Sequence, residues 1–318
     1  MLGSNPQGKG RIIPADALAV AEGATVLRGG GIVAIPTETV YGLAADASNA
    51  RAVAKIYAAK GRPDFNPLIV HVPDIEAAEA IADFDDMATA LAERFWPGPL
   101  TLVLPLKADA RIAAAVTAGL STIALRCPSH PIMQALLLAS GLVVAAPSAN
   151  RSGGISPTTA AHVAASLGDA APLIIDAGAC RSGLESTIVA VRSDGWQILR
   201  PGPITSAQIE GFLGTPPLVQ GGNEIEAPGQ LASHYAPHKP LRFNAETATA
   251  SEWHIGFGAI AGDENLSVGG KLAEAATSLF AALHRADASD RLAIAVAPIT
   301  IEGIGAAIND RLQRAAMR

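Results

Sequence analysis

The segment Lys60-Gly61-Arg62-Pro63 sets two cations at a predicted helix end, with Asn66, Pro67 and His71 soon after. The commoner use of such cations is to complement the helix dipole. Converging with an amide and an imidazole near a sheet edge, they would instead hold a polyphosphate. Arg126 ends the predicted strand STIALR and Arg200 ends WQILR, each with a proline close behind. A terminal Arg is usually a solvated strand end, but fixed guanidinium groups suit bidentate contact with carboxylate or phosphate. Two loops add hydroxyls and backbone N–H groups. Pro147-Ser148-Ala149-Asn150-Arg151-Ser152-Gly153-Gly154 follows a strand and precedes a helix, as an anion-binding concavity would. Glu185-Ser186-Thr187 opens another strand. Pro36-Thr37-Glu38-Thr39-Val40-Tyr41-Gly42-Leu43 brings three hydroxyls and a carboxylate, and reads as a capped turn or as part of a site.

Familiar alternatives are missing. The sequence holds no GxxxxGK[ST] phosphate loop, no HExxH and no GxSxG, and no GxGxxG sits between a strand and a helix. Gly29–Gly31 precedes a strand, so it serves to end a helix. His234 and His238 have i, i+4 spacing, but Pro237 between them argues against a metal-binding helix. Cys127 and Cys180 lack metal-ligand spacing and read as thiols in a reducing compartment.

The elements that must carry these residues alternate between helix and strand. Helices are predicted over Pro14–Arg28, from an N-cap at Ser48 through Ala59, and over Ile75–Ala82, Asp86–Phe95, Pro131–Ser140, Thr159–Leu167 and Ser206–Leu213. Predicted strands are Gly31–Ile35, Leu68–Val72, Thr101–Leu106, Ser121–Arg126, Leu142–Ala146, Leu173–Asp176, Ser186–Val191 and Trp196–Arg200. Some follow one another without a helix, so the sheet is expected to be mixed. Thr215–Pro240 is rich in Pro and Gly and reads as a linker. Beyond it, strands at Leu241–Phe243, Trp253–Phe257 and Leu292–Ala297 join a helix over Lys271–His284 and a last helix aligning Ile304, Ile308 and Leu312. The expected organisation is a catalytic α/β domain over 1–213, a linker or lid over 214–240 and a smaller Rossmann-like α/β domain over 241–318.

A chain of 318 residues with 49% hydrophobic and 4% aromatic content suits this α/β reading. Its net charge of −6 argues against a protein built mainly to hold nucleic acid, leaving any RNA contact weak. No apolar run reaches the roughly 20 residues of a membrane span. The N-terminus, MLGSNPQGKGR, has no apolar segment of a secretion signal, so a soluble, cytoplasmic protein is expected.

The ordered motifs PTETVYGL, KGRP with NPLIVHV, WPGPLTLVL, ALRCP, APSANRSG, ESTIV and LRPG resemble the YrdC/Sua5 family, from about Gly29 to Gly202. APGQLASHYAPHKPL resembles the interdomain segment of the longer Sua5 branch, and EGIGAAINDRLQRAA its terminal helix. The resemblance implies a twisted, mixed-sheet YrdC-like domain followed by the Sua5 domain. It implies an L-threonylcarbamoyladenylate synthase: a nucleotidyltransferase that makes threonylcarbamoyl-AMP and pyrophosphate from L-threonine, bicarbonate or CO2, and ATP. Mg2+ is expected on the ATP phosphates, with no metal site of the protein's own. The product would pass to a separate transferase complex that modifies tRNA.

Carried over by position, the resemblance places Thr37, His71, Thr122, Arg126 and Ser186 near the threonine, with Arg126 on its carboxylate. Lys60, Arg62, Ser148, Asn150, Ser156 and Arg200 would line the ATP side, with Lys60 and Arg62 catalytic. Tyr235 would reach back from the linker over the nucleotide. The family linker carries basic residues before its His-Tyr pair, where this chain has Leu231-Ala232-Ser233. Two other readings keep the fold. Carbamoyl-adenylate chemistry of the hydrogenase-maturation kind would bring acylphosphatase and zinc-finger segments, which are missing. A double-stranded RNA-binding module would need a basic stripe.

Overall fold

The computed structural model describes residues 10–218, 226–230 and 234–317 of the chain. The N-terminal stretch before Gly10 and Leu231-Ala232-Ser233, on which two of the sequence readings fall, lie outside the described residues. Strand β1 (Ile12–Pro14) opens the fold where the sequence predicts a helix start. Pro14 is tolerated there because β1 is an edge strand, where a missing N–H costs no ladder bond. Helix α1 (Ala17–Arg28) begins after Asp16, whose carboxylate accepts from the Ala19 N–H.

There follow β2 (Val33–Ile35), β3 (Gly42–Asp46), α2 (Ala50–Lys60), β4 (Ile69–His71), α3 (Ile75–Glu79), α4 (Asp86–Phe95) and β5 (Leu100–Pro105). Next come α5 (Ala114–Thr117), β6 (Thr122–Arg126), α6 (Pro131–Ser140), β7 (Val144–Ala145), α7 (Ala160–Leu167) and β8 (Leu173–Asp176). The series ends with β9 (Thr187–Arg192), β10 (Gly195–Arg200) and α8 (Ser206–Leu213). Most differ from the predicted bounds by a residue or two. The N-cap of α2 is Asn49, not Ser48: its side-chain oxygen takes the Arg51 and Ala52 N–H groups, while Ser48 donates to Asp46. Strand β3 is absent from the prediction because four of its five residues are buried and no polar alternation marks it.

The strands form one ten-stranded sheet in the order β1-β8-β2-β3-β7-β4-β6-β5-β9-β10. It is mixed, as expected: β4 and β6 run parallel, as do β5 and β9, while β3, β7 and β4 alternate in direction. Strands β2 and β4 are buried throughout, the pattern of strands covered on both faces. The parallel register sets His71 directly opposite Arg126 at the ends of β4 and β6.

The linker packs onto this sheet. Leu218 N–H donates to Trp196 O, Glu226 pairs with Arg192, and Ala236 bridges to Gly154. Beyond it, β11 (Leu241–Arg242), β12 (Glu252–Gly256), β13 (Glu264–Asn265), α9 (Leu272–Ala288), β14 (Ala293–Val296) and α10 (Gly305–Ala316) form a smaller unit. Its four strands are all parallel, in the order β11-β14-β12-β13. Helix α9 runs past the predicted end at His284. That end meets the larger domain, where His284 Nε2 contacts Ser156 O at 3.1 Å and the His284 ring stacks on His162. Among the described residues no helix is long and apolar enough to cross a membrane.

Candidate functional site

His71 lies beside Arg126, with Ile69 on the same face of β4. These side chains form the floor of a cavity of about 50 Å3 whose walls bring in Thr37, Thr39, Ser148, Ser186, Arg62 and Arg200. The linker closes it with Pro228, Gly229, His234 and Tyr235. Ligand pockets usually measure about 300–1,000 Å3, so this space is too small for a nucleotide.

Each wall is held by the chain around it. Thr37 Oγ1 donates to Val40 O at 2.7 Å and accepts the Thr39 and Val40 N–H groups at 3.2 Å. The capped-turn reading of this segment therefore holds, and the same turn presents Thr37 to the cavity. Arg62 follows the left-handed Gly61 that ends α2, and it donates to the carbonyls of Asn66 and Pro67. Burial lowers its pKa to about 10, against the raising effects of Tyr57 and Tyr235. Arg200 donates through Nε and Nη2 to Ser186 O and through Nη1 to Pro228 O. It thereby ties the end of β10 and the residue before β9 to the linker. The Ser186 hydroxyl also bonds Thr101 at 2.7 Å.

Arg126 donates to Gly98 O and Thr39 Oγ1, and Glu38 Oε1 lies 2.7 Å from its Nη2. Burial pushes the Glu38 carboxyl up, but the Arg126 charge and the hydrogen bonds to the carboxylate together outweigh it and hold the group below the usual carboxylate range. His71 is buried with Nδ1 unpartnered, and burial together with Arg126 lowers its pKa to about 3. It is a neutral imidazole.

Not every expected residue faces the cavity. Lys60 does not line it, and its Nζ donates instead to the Ser148 and Asn150 carbonyls at 2.5 and 2.6 Å. Burial, then Arg62, holds its pKa well below the ordinary lysine value. Asn150 braces its own loop by donating to the Arg151 and Gly154 carbonyls. Ser156 is fully buried against the Glu185 carboxylate. Thr122 is not brought to the cavity. It opens β6, pairing with Pro105, and stands roughly 13 Å along the strand from Arg126 at ~3.3 Å per residue.

Asn66, the amide that the sequence set beside the cations, and Arg311, which lay outside the expected set, are buried against the lining residues Arg62 and Tyr235. Asn66 is 1% exposed with both side-chain amide atoms unpartnered, so it is poised for a ligand or water. Arg311 of α10 is fully buried, bonds Glu185 at 2.9 Å and Asp310 at 2.6 Å, and leaves Nη2 unpartnered. Burial opposes its charge, but Tyr235, Glu185 and Asp310 outweigh this and raise its pKa. A signal was present in the sequence: Arg311 is three residues after Ile308 and seven after Ile304, on the apolar stripe of an amphipathic helix. Lys60, Arg62, Arg200 and Arg311 together lower the pKa of buried His234 beyond the effect of burial itself. Such a concentration of cations suits a polyanion. Among the described residues no group of three or more His, Cys, Asp or Glu side chains converges as metal ligands.

The Sua5/YciO/YrdC family model, described as "Telomere recombination", matches residues 25–202. A second family model, described as "Threonylcarbamoyl-AMP synthase, C-terminal domain", matches residues 204–317. A Bacillus subtilis protein named threonylcarbamoyl-AMP synthase is 48% identical over 227 residues, which span 70% of this chain and 65% of that relative. The Pyrococcus abyssi protein of the same name is 38% identical over 314 residues, 91% of each chain. The crystal structure of P. abyssi Sua5 complexed with L-threonine superposes with a TM-score of 0.87, at 34% identity, over 96% of this chain and 97% of that one.

Proposed function

The chain belongs to the Sua5/YciO/YrdC family and carries the C-terminal domain described for threonylcarbamoyl-AMP synthase, and from that premise we propose that it forms threonylcarbamoyl-AMP and pyrophosphate from L-threonine, bicarbonate or CO2, and ATP. The observation that carries this reading is the buried cavity where Arg62, Arg126 and Arg200 meet Thr37, Ser148, Ser186 and the neutral His71. The threonine amine is first carboxylated, and the new carboxylate then attacks the α-phosphorus of ATP. Bringing two anions together in line demands charge neutralisation and alignment more than a covalent nucleophile. Arg126 takes the threonine carboxylate, with Thr37, His71 and Ser186 around the amino acid. Arg62 and Arg200 take the phosphates. Lys60 holds the loop of Ser148 and Asn150 in place and adds its charge from behind. Mg2+ would come with ATP, on its phosphates, and would supply charge neutralisation there.

A cavity this small cannot admit ATP until the linker withdraws. We therefore assign the linker the part of a lid, with Tyr235 and His234 as its inner surface, which excludes water from a labile intermediate. The product passes to a transferase complex for tRNA modification. The double-stranded RNA-binding reading is not favoured, given the net charge of −6.

The test is pyrophosphate release from ATP and Mg2+ with L-threonine and bicarbonate. Release must require both; release that proceeds without either one sinks the assignment.

A further inference from the structure

Glu38 and Arg126 form a buried ion pair that leaves free the donors a ligand needs. Their side chains are 9% and 4% exposed, and Oε1 stands 2.7 Å from Nη2. The other guanidinium nitrogens are tied, Nε to Gly98 O at 3.2 Å and Nη1 to Thr39 Oγ1 at 2.9 Å. Nη2 and the two carboxylate oxygens make no well-aligned hydrogen bond to each other, and the Arg126 charge acts on Glu38 more strongly than hydrogen bonding does. The contact is therefore chiefly one of charge, and Nη2 keeps donor capacity for a group in the cavity that Arg126 lines. Glu38 stands behind, outside the lining.

The sum of charges decides what that group can be. A simple carboxylate brought to this pair leaves one net negative charge in a buried place. A zwitterion, bringing its own ammonium, leaves none. Uncompensated charge is heavily penalised away from water. The other buried neighbours of the pair do not change this sum: His71 is neutral, and Cys127 and Cys180 are thiols pushed up by burial. Arg62 and Arg200 face the same cavity, but in the proposed reaction the nucleotide phosphates match their charge.

We propose that Glu38 is the specificity-determining residue of the amino-acid subsite: its fixed negative charge behind Arg126 makes the site accept a zwitterionic amino acid and reject the same carboxylate without the ammonium. This inference rests on the assignment of Arg126 to the threonine carboxylate.

The experiment is calorimetric titration of the full chain, saturated with α,β-methylene-ATP and Mg2+, with L-threonine and with 3-hydroxybutyrate, which is threonine without its amino group. The wild type prefers threonine by about tenfold or more. Glu38→Gln loses roughly tenfold in threonine affinity, and its preference shrinks by about as much. Glu38→Asp, which keeps the charge, retains the preference. A purely structural role for Glu38 would lower the melting temperature without moving the ratio of the two affinities. The inference is overturned by a wild type that binds both compounds equally, or by a folded Glu38→Gln chain with the full preference. A folded Glu38→Asp chain that has lost the preference overturns it as well, and that arm decides where Glu38→Gln does not fold. A wild type that binds neither compound overturns the proposed reaction and this inference with it, whereas threonine binding with an unmoved ratio overturns this inference alone.

Discussion

Tyr235 lies with its ring beneath the guanidinium of Arg311, whose central carbon stands 5.1 Å from the ring centroid. One residue belongs to the linker and the other to the last helix, and both are fully buried. A desolvated stack of this kind contributes about 2 kcal/mol, and here it fixes the ring that closes the cavity. Tyr235→Ala is expected to raise the KM for ATP by about tenfold, while threonine affinity without nucleotide stays within about twofold. Steady-state kinetics paired with calorimetry checks both. An unchanged KM would remove the linker from the site.

The same arginine is the cation of buried Glu185, whose side chain is 8% exposed. Removing one member of such a pair strands the other charge, at a cost of about 3–5 kcal/mol. Arg311→Met should lower unfolding stability by that amount in urea at neutral pH. The double variant Glu185→Gln/Arg311→Met should lose less than the sum of its singles, because the two substitutions remove one interaction. A single-variant loss below about 1 kcal/mol would mean that the pair does not join the C-terminal domain to the site.

Much of this site could be read in the sequence because its parts sit at strand ends. Arg126 and Arg200 close predicted strands, and His71 lies in a third, so periodicity placed them before any contact was known. What the sequence could not show was direction. Lys60 and Arg62 are two residues apart, yet the left-handed Gly61 between them sends one side chain behind the loop and the other into the cavity. Thr122 shares a strand with Arg126 but stands at its other end. Arg311 lies far along the chain from Glu185, and a one-dimensional pattern shows only that a charge sits on an apolar stripe. Strand β3 escaped notice because burial on both faces erases the alternation by which strands are recognised.

Burial and Arg126 hold the His71 imidazole at a pKa of about 3, against 6.5 for the free side chain. Below pH 6.5 the unfolded chain therefore takes up a proton that the native chain refuses. Stability falls as pH drops from 6.5 toward about 3, and the loss is on the order of several kcal/mol. His162 and His234 shift in the same direction, so the informative comparison is wild type against His71→Gln. Urea unfolding at pH 7, 6, 5 and 4, chosen to span that window, should show a shallower acid loss in the variant. Parallel curves would mean that His71 takes up its proton equally in the native and unfolded chains.

Lys60→Ala and Arg62→Ala are both expected to abolish pyrophosphate release, for different reasons. Lys60 makes two short bonds to the carbonyls of Ser148 and Asn150, so its loss frees the loop from Pro147 to Gly154. Hydrogen exchange in that loop should quicken in Lys60→Ala and stay at the wild-type rate in Arg62→Ala, whose bonds go to Asn66 and Pro67. Wild-type turnover in either variant would refute its assigned role.

Gly183 sets the two domains in close backbone contact. Its φ is +70°, and a Cβ there would stand 2.5 Å from Thr277 Cα and 2.6 Å from the Ala276 and Thr277 carbonyl oxygens on α9. Backbone cannot yield as a side-chain tip can, so Gly183→Ala must push α9 away from the catalytic sheet. Gly178 supplies the control, with φ of +80° and nothing within 4 Å of the added methyl. Both variants carry the left-handed penalty of about 1–2 kcal/mol, and Gly183→Ala alone adds an overpacking cost of about 1–3 kcal/mol. The difference between their unfolding free energies therefore isolates the clash. Because Gly183 is two residues from Glu185, the displacement should also loosen the Glu185–Arg311 pair, and Gly183→Ala should release pyrophosphate more slowly than Gly178→Ala at equal folded fraction. Equal stability and equal rates in the two variants would mean that the C-terminal domain does not press on the site at this point.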